Sequence, residues 1–287
     1  MKNRYPLFIG IGGHRCASTW LFQNLKDING LVSTSKETHF FSRHFDHGFN
    51  WYYNEINKEN SKKLFCEFST SYLYDYFTPK RIKKYFPKTK IIIILRNPIY
   101  RFYSHYKHET HIGHNKSFDL KKSFFKNPSY LELGNYFPYL KRWLSFYDKN
   151  EICIVLLDDI INDTLTTFNK IQKFLGFSSL NDLSKLSNSI NFSLIPKNNH
   201  KLDYYFFIKN FLKNHQVLRN MIPAKIKKIF KEKIERQLLN KKDFLSIEDY
   251  NFIKAKYSNK EMKENFEKLS LFLKKDLKSL WFKKKHD

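Results

Sequence analysis

The stretch Lys90-Ile91-Ile92-Ile93-Ile94-Leu95-Arg96-Asn97-Pro98 decides the fold. An apolar run this short, without polar alternation, reads as a strand buried on both faces, as in parallel sheets. Pro98 then opens a helix at the position where a missing N–H costs nothing. Arg96 is thereby delivered at the carboxyl end of a central strand, beside a helix N-terminus whose free N–H groups favour anions. Ser104, eight residues after Arg96, falls about two turns into that helix. The pattern specifies an anion site.

Working outward, buried strands are expected at Leu7–Ile11, Lys63–Phe68 and Glu151–Leu157, with a short one near Leu31–Ser33. Between them lie helical patterns at Thr19–Asp27, Pro79–Tyr85, Pro98–His108, Tyr136–Tyr147 and Thr164–Leu175, the last closed by Gly176. Alternating strands and helices predict an α/β fold, with helices on both sides of a mostly parallel sheet of about five strands. Ligands of such folds sit at the carboxyl ends of the strands. After residue 198 lysine-rich helical segments take over, notably Glu248–Tyr257 and Lys260–Leu273, whose apolar positions recur at helical spacing. The expectation is one domain over residues 1–287. Its α/β core would occupy 1–197, and a helical C-terminal extension over 198–287 would pack on that core.

Composition sets outer limits. Lysine and arginine number 52 against 27 acids, a formal charge of +25 that attracts anionic partners. A compositional drift toward Lys, Asn, Ile and Phe produces the same excess. Basic residues are spread along the chain, and no helix-turn-helix, zinc-finger or RNA-binding signature gathers them, so no specific nucleic acid partner is expected. Cys16, Cys66 and Cys153 are few, odd in number and far apart, which suggests neither a disulfide framework nor a zinc site. No stretch approaches the roughly 20 apolar residues that span a bilayer. A soluble, cytoplasmic protein is the default expectation.

Two further motifs carry chemistry. In Gly10-Ile11-Gly12-Gly13-His14-Arg15-Cys16-Ala17-Ser18-Thr19-Trp20-Leu21 a glycine-rich turn links a strand to a helix. The glycines admit a ligand close to the backbone, Arg15 adds charge, Ser18 and Thr19 add hydroxyls, and the helix adds amides. This is phosphate-binding chemistry. It lacks the Gly-Lys-Ser/Thr of a Walker loop, and Arg15 occupies the third-glycine position of a dinucleotide fingerprint. In Lys36-Glu37-Thr38-His39-Phe40-Phe41, Glu37 and His39 are two apart, so in an extended segment both point the same way. Glu37 could then act as a general base with His39 as its orienter, or the pair could be a surface acid and a capped histidine.

Taken in order, these motifs resemble those of the sulfotransferases that use 3′-phosphoadenosine-5′-phosphosulfate (PAPS). Arg96-Asn97-Pro98-x-x-Arg101-x-Tyr103-Ser104 is similar to their 3′-phosphate element, and Gly10–Leu21 to their 5′-phosphosulfate loop. Lys36–Phe41 resembles a segment of the carbohydrate-modifying and bacterial members. Weaker matches run through Cys66–Tyr72, Leu133–Trp143 with Ile154–Ile160, Asn191–Lys197 and Leu273–Trp281. The resemblance implies a P-loop-like three-layer α/β/α fold and a PAPS-dependent transfer of sulfuryl to a hydroxyl, of a carbohydrate or glycolipid.

It also implies roles. Arg96 and Ser104 would bind the 3′-phosphate. Arg15, Cys16, Ala17, Ser18, Thr19 and Trp20 would cradle the phosphosulfate. Glu37 would be the base, His39 would support it near the acceptor, and Lys197 would close over the nucleotide. No metal is required.

Departures from the family pattern are specific. Arg15 stands where the family usually has lysine, Ala17 where it has glycine, and Ser18 where it has threonine. Phe68 stands where many glycan-modifying relatives have lysine. Ala17 is expected to need a negative φ, because a Cβ disfavours the left-handed region. Two other function classes remain open on sequence: a P-loop-like kinase or NTPase, and a non-catalytic basic protein that binds polyanions.

Overall fold

The computed structural model describes residues 6–31, 36–56, 65–115, 117, 119–186, 195–196, 239–240 and 245–282. Four parallel strands form the central sheet: β1 (Phe8–Gly12), β2 (Glu67–Phe68), β3 (Lys90–Leu95) and β4 (Ile152–Leu156). Their order is β2-β1-β3-β4. β3 sits inside the sheet, pairing Ile9 with Ile91 on one side and Ile92 with Cys153 on the other. Its five apolar residues are all buried, so the unbroken isoleucine run does mark a strand covered on both faces.

The helices are α1 (Ser18–Ile28), α2 (Phe40–Arg43), α3 (Gly48–Ile56), α4 (Thr78–Tyr85), α5 (Pro98–His111), α6 (Leu120–Lys126) and α7 (Ser129–Glu132). They continue with α8 (Tyr136–Leu144), α9 (Leu157–Asn162), α10 (Thr164–Leu175), α11 (Ile247–Lys256), α12 (Lys260–Leu273) and α13 (Leu277–Phe282). The bounds of β3, α10 and α12 are those read from sequence. The expected helix Tyr136–Tyr147 stops at Leu144, where the Ser145 hydroxyl donates to the Arg142 carbonyl at 2.7 Å and ends the turn. β2 is shorter than the expected Lys63–Phe68. Only Glu67 and Phe68 pair with β1, and 57–64 lie outside the described residues. The short strand expected near Leu31–Ser33 falls mostly on 32–35, also outside them; Leu31 itself is buried and belongs to no strand.

The chain divides into two compact units. The first comprises Met1–Arg101, Leu131–Asn191 and Lys254–Asp287 and contains the sheet. On one face of that sheet Phe8, Phe68, Ile92, Ile94, Cys153 and Val155 pack with Trp20, Leu21 and Leu25 of α1 and Phe168, Ile171 and Leu175 of α10. Ile91, Ile93 and Leu95 alternate onto the other face and are equally buried. The second unit comprises Phe102–Tyr130 and Phe192–Ile253. In it Phe124 stacks on Phe102 at 6.0 Å and meets Phe252 edge-on at 5.6 Å. The antiparallel pair β5 (Ile195–Pro196) and β6 (Leu239–Asn240) belongs there too. No helix among the described residues is long and apolar enough to cross a membrane.

Candidate active site

Because β1 leads to β2 on one side and has β3 on the other, the chain changes direction between β1 and β3. In such sheets this switch point, at the carboxyl ends of the strands, is where ligands bind. Two of the sequence motifs meet there. The Gly10–Leu21 loop leaves β1, Arg96 leaves β3, and Arg96 Nη1 donates to the Arg15 carbonyl at 3.1 Å. The Gly13 N–H donates to the Ile94 carbonyl at 2.6 Å, which ties the loop to β3.

The turn after β3 is built to hold. Asn97 Oδ1 accepts the Ile99 N–H at 2.9 Å, capping α5, while Asn97 Nδ2 donates to the Trp281 carbonyl at 2.7 Å. Tyr136 OH donates to the Arg96 carbonyl at 2.8 Å. Burial pulls the Arg96 guanidinium below the ordinary arginine value, with Cys16, Tyr136 and Asp158 opposing. An anion beside Arg96 would relieve that cost.

Within the loop, Ala17 has φ of +63°, against the expectation of a negative angle. The reason is the residue before it. Cys16 is fully buried, with Sγ 3.4 Å from the His14 carbonyl and 3.9 Å from Tyr136 OH. Having dipped into the core, the chain must reverse within one residue to start α1, and Ala17 makes the reversal. Arg15 is left-handed as well, with φ of +63°. Burial pushes the Cys16 thiol up to about 11, so it packs as a neutral thiol. The Trp20 ring is buried edge-on to Phe168 at 6.3 Å, leaving only backbone to face a ligand there. α1 has no side-chain cap and no acid in its first turn, so its positive end is uncompensated.

Phe68 lies flat against the empty flank of Gly10, where an added Cβ would come within 2.2 Å of the ring. Lys36 Nζ stands 6.0 Å from the centre of the same ring. A lysine thus reaches this region from residue 36 rather than from residue 68.

Glu37 and His39 do come together, though not through an extended segment. Both residues are left-handed, with φ of +68° and +52°, and Glu37 Oε2 lies 3.4 Å from His39 Nε2. Glu37 Oε1 accepts from Lys36 Nζ at 2.7 Å, and Oε2 from Thr70 Oγ1 at 3.0 Å. Burial favours the neutral acid, but the Lys36 charge and hydrogen bond, the Thr70 hydroxyl and His39 outweigh it and hold the Glu37 carboxyl below its ordinary value. Burial also lowers His39 against the pull of Glu37, helped by Arg43, His44 and Lys36. At neutral pH Glu37 is therefore an ion and His39 neutral, which suits one to accept a proton and the other to orient.

Several neighbours were not visible in the sequence. His39 Nδ1 is 2.7 Å from Ser71 Oγ, itself 2.8 Å from Ser42 Oγ. Thr70 Oγ1 reaches both Glu37 and, at 3.4 Å, His14 Nδ1. Burial lowers His14 to about 4, Glu37 opposing and Arg101 assisting. The run Ser69-Thr70-Ser71 directly after the strand Glu67–Phe68 was the available signal.

A family model for the sulfotransferase domain matches residues 8–243. The chain belongs to the sulfotransferase family. A human relative, bifunctional heparan sulfate N-deacetylase/N-sulfotransferase 3, is 29% identical over 198 residues, 61% of this chain and 22% of the relative. The mouse heparan sulfate glucosamine 3-O-sulfotransferase 6 is 24% identical over 183 residues, 61% of this chain and 53% of that protein. The matches thus span about a fifth and about half of these relatives' lengths. The crystal structure of a sulfotransferase from Alicyclobacillus acidocaldarius has the same fold. It covers 77% of this chain and 98% of that one, at 21% identity and a TM-score of 0.54.

In this sulfotransferase domain Arg15, Cys16, Ala17, Ser18, Thr19, Trp20, Glu37, His39 and Arg96 all lie in the first unit. Ser104 lies on α5 within the second unit, and Lys197 lies outside the described residues.

Proposed function

We propose that this sulfotransferase domain moves the sulfuryl group of PAPS to an acceptor hydroxyl, of a carbohydrate or glycolipid, with Glu37 as general base. The observation that carries the reading is the hydrogen bond from Arg96 to the Arg15 carbonyl at the switch point. It joins the two anion-binding motifs. A nucleotide with a 3′-phosphate beside Arg96 and a 5′-phosphosulfate on the loop uses both cations and the uncapped N-terminus of α1.

In the reaction the acceptor oxygen attacks sulfur in line as the bond from sulfur to the bridging phosphate oxygen breaks. Adenosine 3′,5′-bisphosphate (PAP) leaves. The acceptor proton passes to Glu37. Such transfers depend on positioning and on cations and amides facing the developing charge, here Arg15 and the loop. The heparan sulfate names of the relatives favour a sugar acceptor.

The test is thermal. PAP should raise the melting temperature by several degrees at millimolar concentration and ATP much less. Equal shifts with both nucleotides would overturn the donor assignment.

A further inference from the structure

We infer that Glu67, which the proposed chemistry does not use, is the positioning residue that holds Glu37 and His39 in their reactive geometry. The inference rests on reading that pair as the reacting pair. Glu67 is on β2 and has no exposed surface. Four hydroxyls converge on its carboxylate. Thr38 Oγ1, Tyr72 OH at 2.5 Å and Ser69 Oγ at 3.0 Å donate to Oε1, and Tyr52 OH donates to Oε2 at 2.7 Å.

Three of these hydroxyls do a second thing. Ser69 Oγ accepts the His39 N–H at 3.0 Å, Thr38 Oγ1 accepts the Phe40 N–H at 3.2 Å, and Tyr72 OH accepts the Phe41 N–H at 3.1 Å. Three consecutive backbone amides, from His39 through the start of α2, are thus each bound by a hydroxyl whose own proton points at one buried carboxylate. Burial pushes the Glu67 carboxyl above its ordinary value, with the four hydroxyls opposing. Each hydroxyl that donates to this carboxyl is fixed in direction, and its oxygen becomes a better acceptor, so Glu67 is felt at all three amides through oriented hydrogen bonds. A left-handed non-glycine residue persists only where its surroundings over-determine it, and here two flank Thr38. The hydroxyl ring supplies that constraint. Tyr52 provides the internal contrast, since it donates to Glu67 but accepts none of the three amides.

The experiment compares Glu67→Gln, Tyr72→Phe and Tyr52→Phe. Their readouts are the NMR titration of the His39 imidazole and calorimetric affinity for PAP. Glu67→Gln places an amide NH2 among donors, and Tyr72→Phe removes the acceptor of the Phe41 N–H. Both should shift the His39 titration upward toward the ordinary histidine value as its ring is released to solvent. PAP affinity should stay within about twofold, because the donor loop is untouched. Tyr52→Phe should leave the His39 titration as it is.

An unmoved His39 titration in folded Glu67→Gln or Tyr72→Phe would overturn the inference, as would an equal shift in Tyr52→Phe. If Glu67→Gln does not fold, Tyr72→Phe decides. Failure of the unaltered protein to bind PAP would instead remove the donor reading, leaving the His39 comparison intact.

Discussion

His39 Nε2 and Glu37 Oε2 stand 3.4 Å apart on a turn where both residues are left-handed. With Glu37 the proton acceptor, Glu37→Gln should lower transfer to any acceptor by a factor on the order of 100 or more. PAP affinity should be unchanged. Retained turnover would remove Glu37 as the base.

Lys36 holds the Glu37 carboxyl below its ordinary value by outweighing burial. Lys36→Met should therefore move the titration of the Glu37 side-chain carbonyl, followed by carbon NMR, to higher pH. The acid limb of any pH–rate profile should move the same way. An unchanged titration would mean that the Thr70 hydroxyl and His39 sustain the ion without Lys36.

His14 ties stability to pH. Its folded value, lowered by burial to about 4, lies below the unfolded value of about 6.5. Between these values the unfolded chain binds more protons, so stability falls as pH falls from about 6.5 toward 4. Glu37, depressed in the folded state, adds a further loss as pH drops below the ordinary carboxylate range through its folded value. Urea unfolding at pH 7 and pH 5 should differ by about 2 kcal/mol, and His14→Gln should flatten most of that difference.

Ala17 sits at φ of +63°, where a Cβ costs on the order of 1 kcal/mol. Ala17→Gly should stabilise the protein by up to about 0.5 kcal/mol, net of the extra freedom that glycine gives the unfolded chain. Chemical denaturation would read it directly, and destabilisation would show that residue 17 is not held left-handed in the folded protein.

Gly10 and Phe68 form a fitted pair, with a hypothetical Cβ only 2.2 Å from the ring. Gly10→Ala should cost about 2 kcal/mol by overpacking. Adding Phe68→Leu should recover part of that cost, although Phe68→Leu alone is destabilising. Strict additivity of the two would mean that they do not touch.

The legible parts of the fold were those whose cause is local. Ile91–Leu95 reads as a buried strand because nothing polar interrupts it, and Pro98 opens α5 because its φ and missing N–H suit only that position. The Glu37–His39 turn was misread as extended because its cause lies elsewhere in the chain, in the hydroxyls of Ser69 and Tyr72 and the carboxylate of Glu67. Local pattern carries no trace of partners some 30 residues away. The left-handed angle at Ala17 was missed for a similar reason, since the burial of Cys16 against Tyr136 is a tertiary contact. Glu67 on a strand, with Ser69 and Tyr72 two and five residues behind it, is the pattern that would have pointed to the ring.

Asn97, next to Arg96, is braced by the Trp281 carbonyl, and Arg101 lies wholly buried, raised by Tyr257, Tyr136 and Tyr74 against the cost of its burial. Tyr257 hydrogen-bonds this guanidinium. The lysine-rich helices after residue 254 thus act as a keystone for the carboxyl end of the sheet. A shortened protein stopping before Tyr257 would strand a permanent cation in its interior and unlatch Asn97, so the last helices and the first loop stand or fall together.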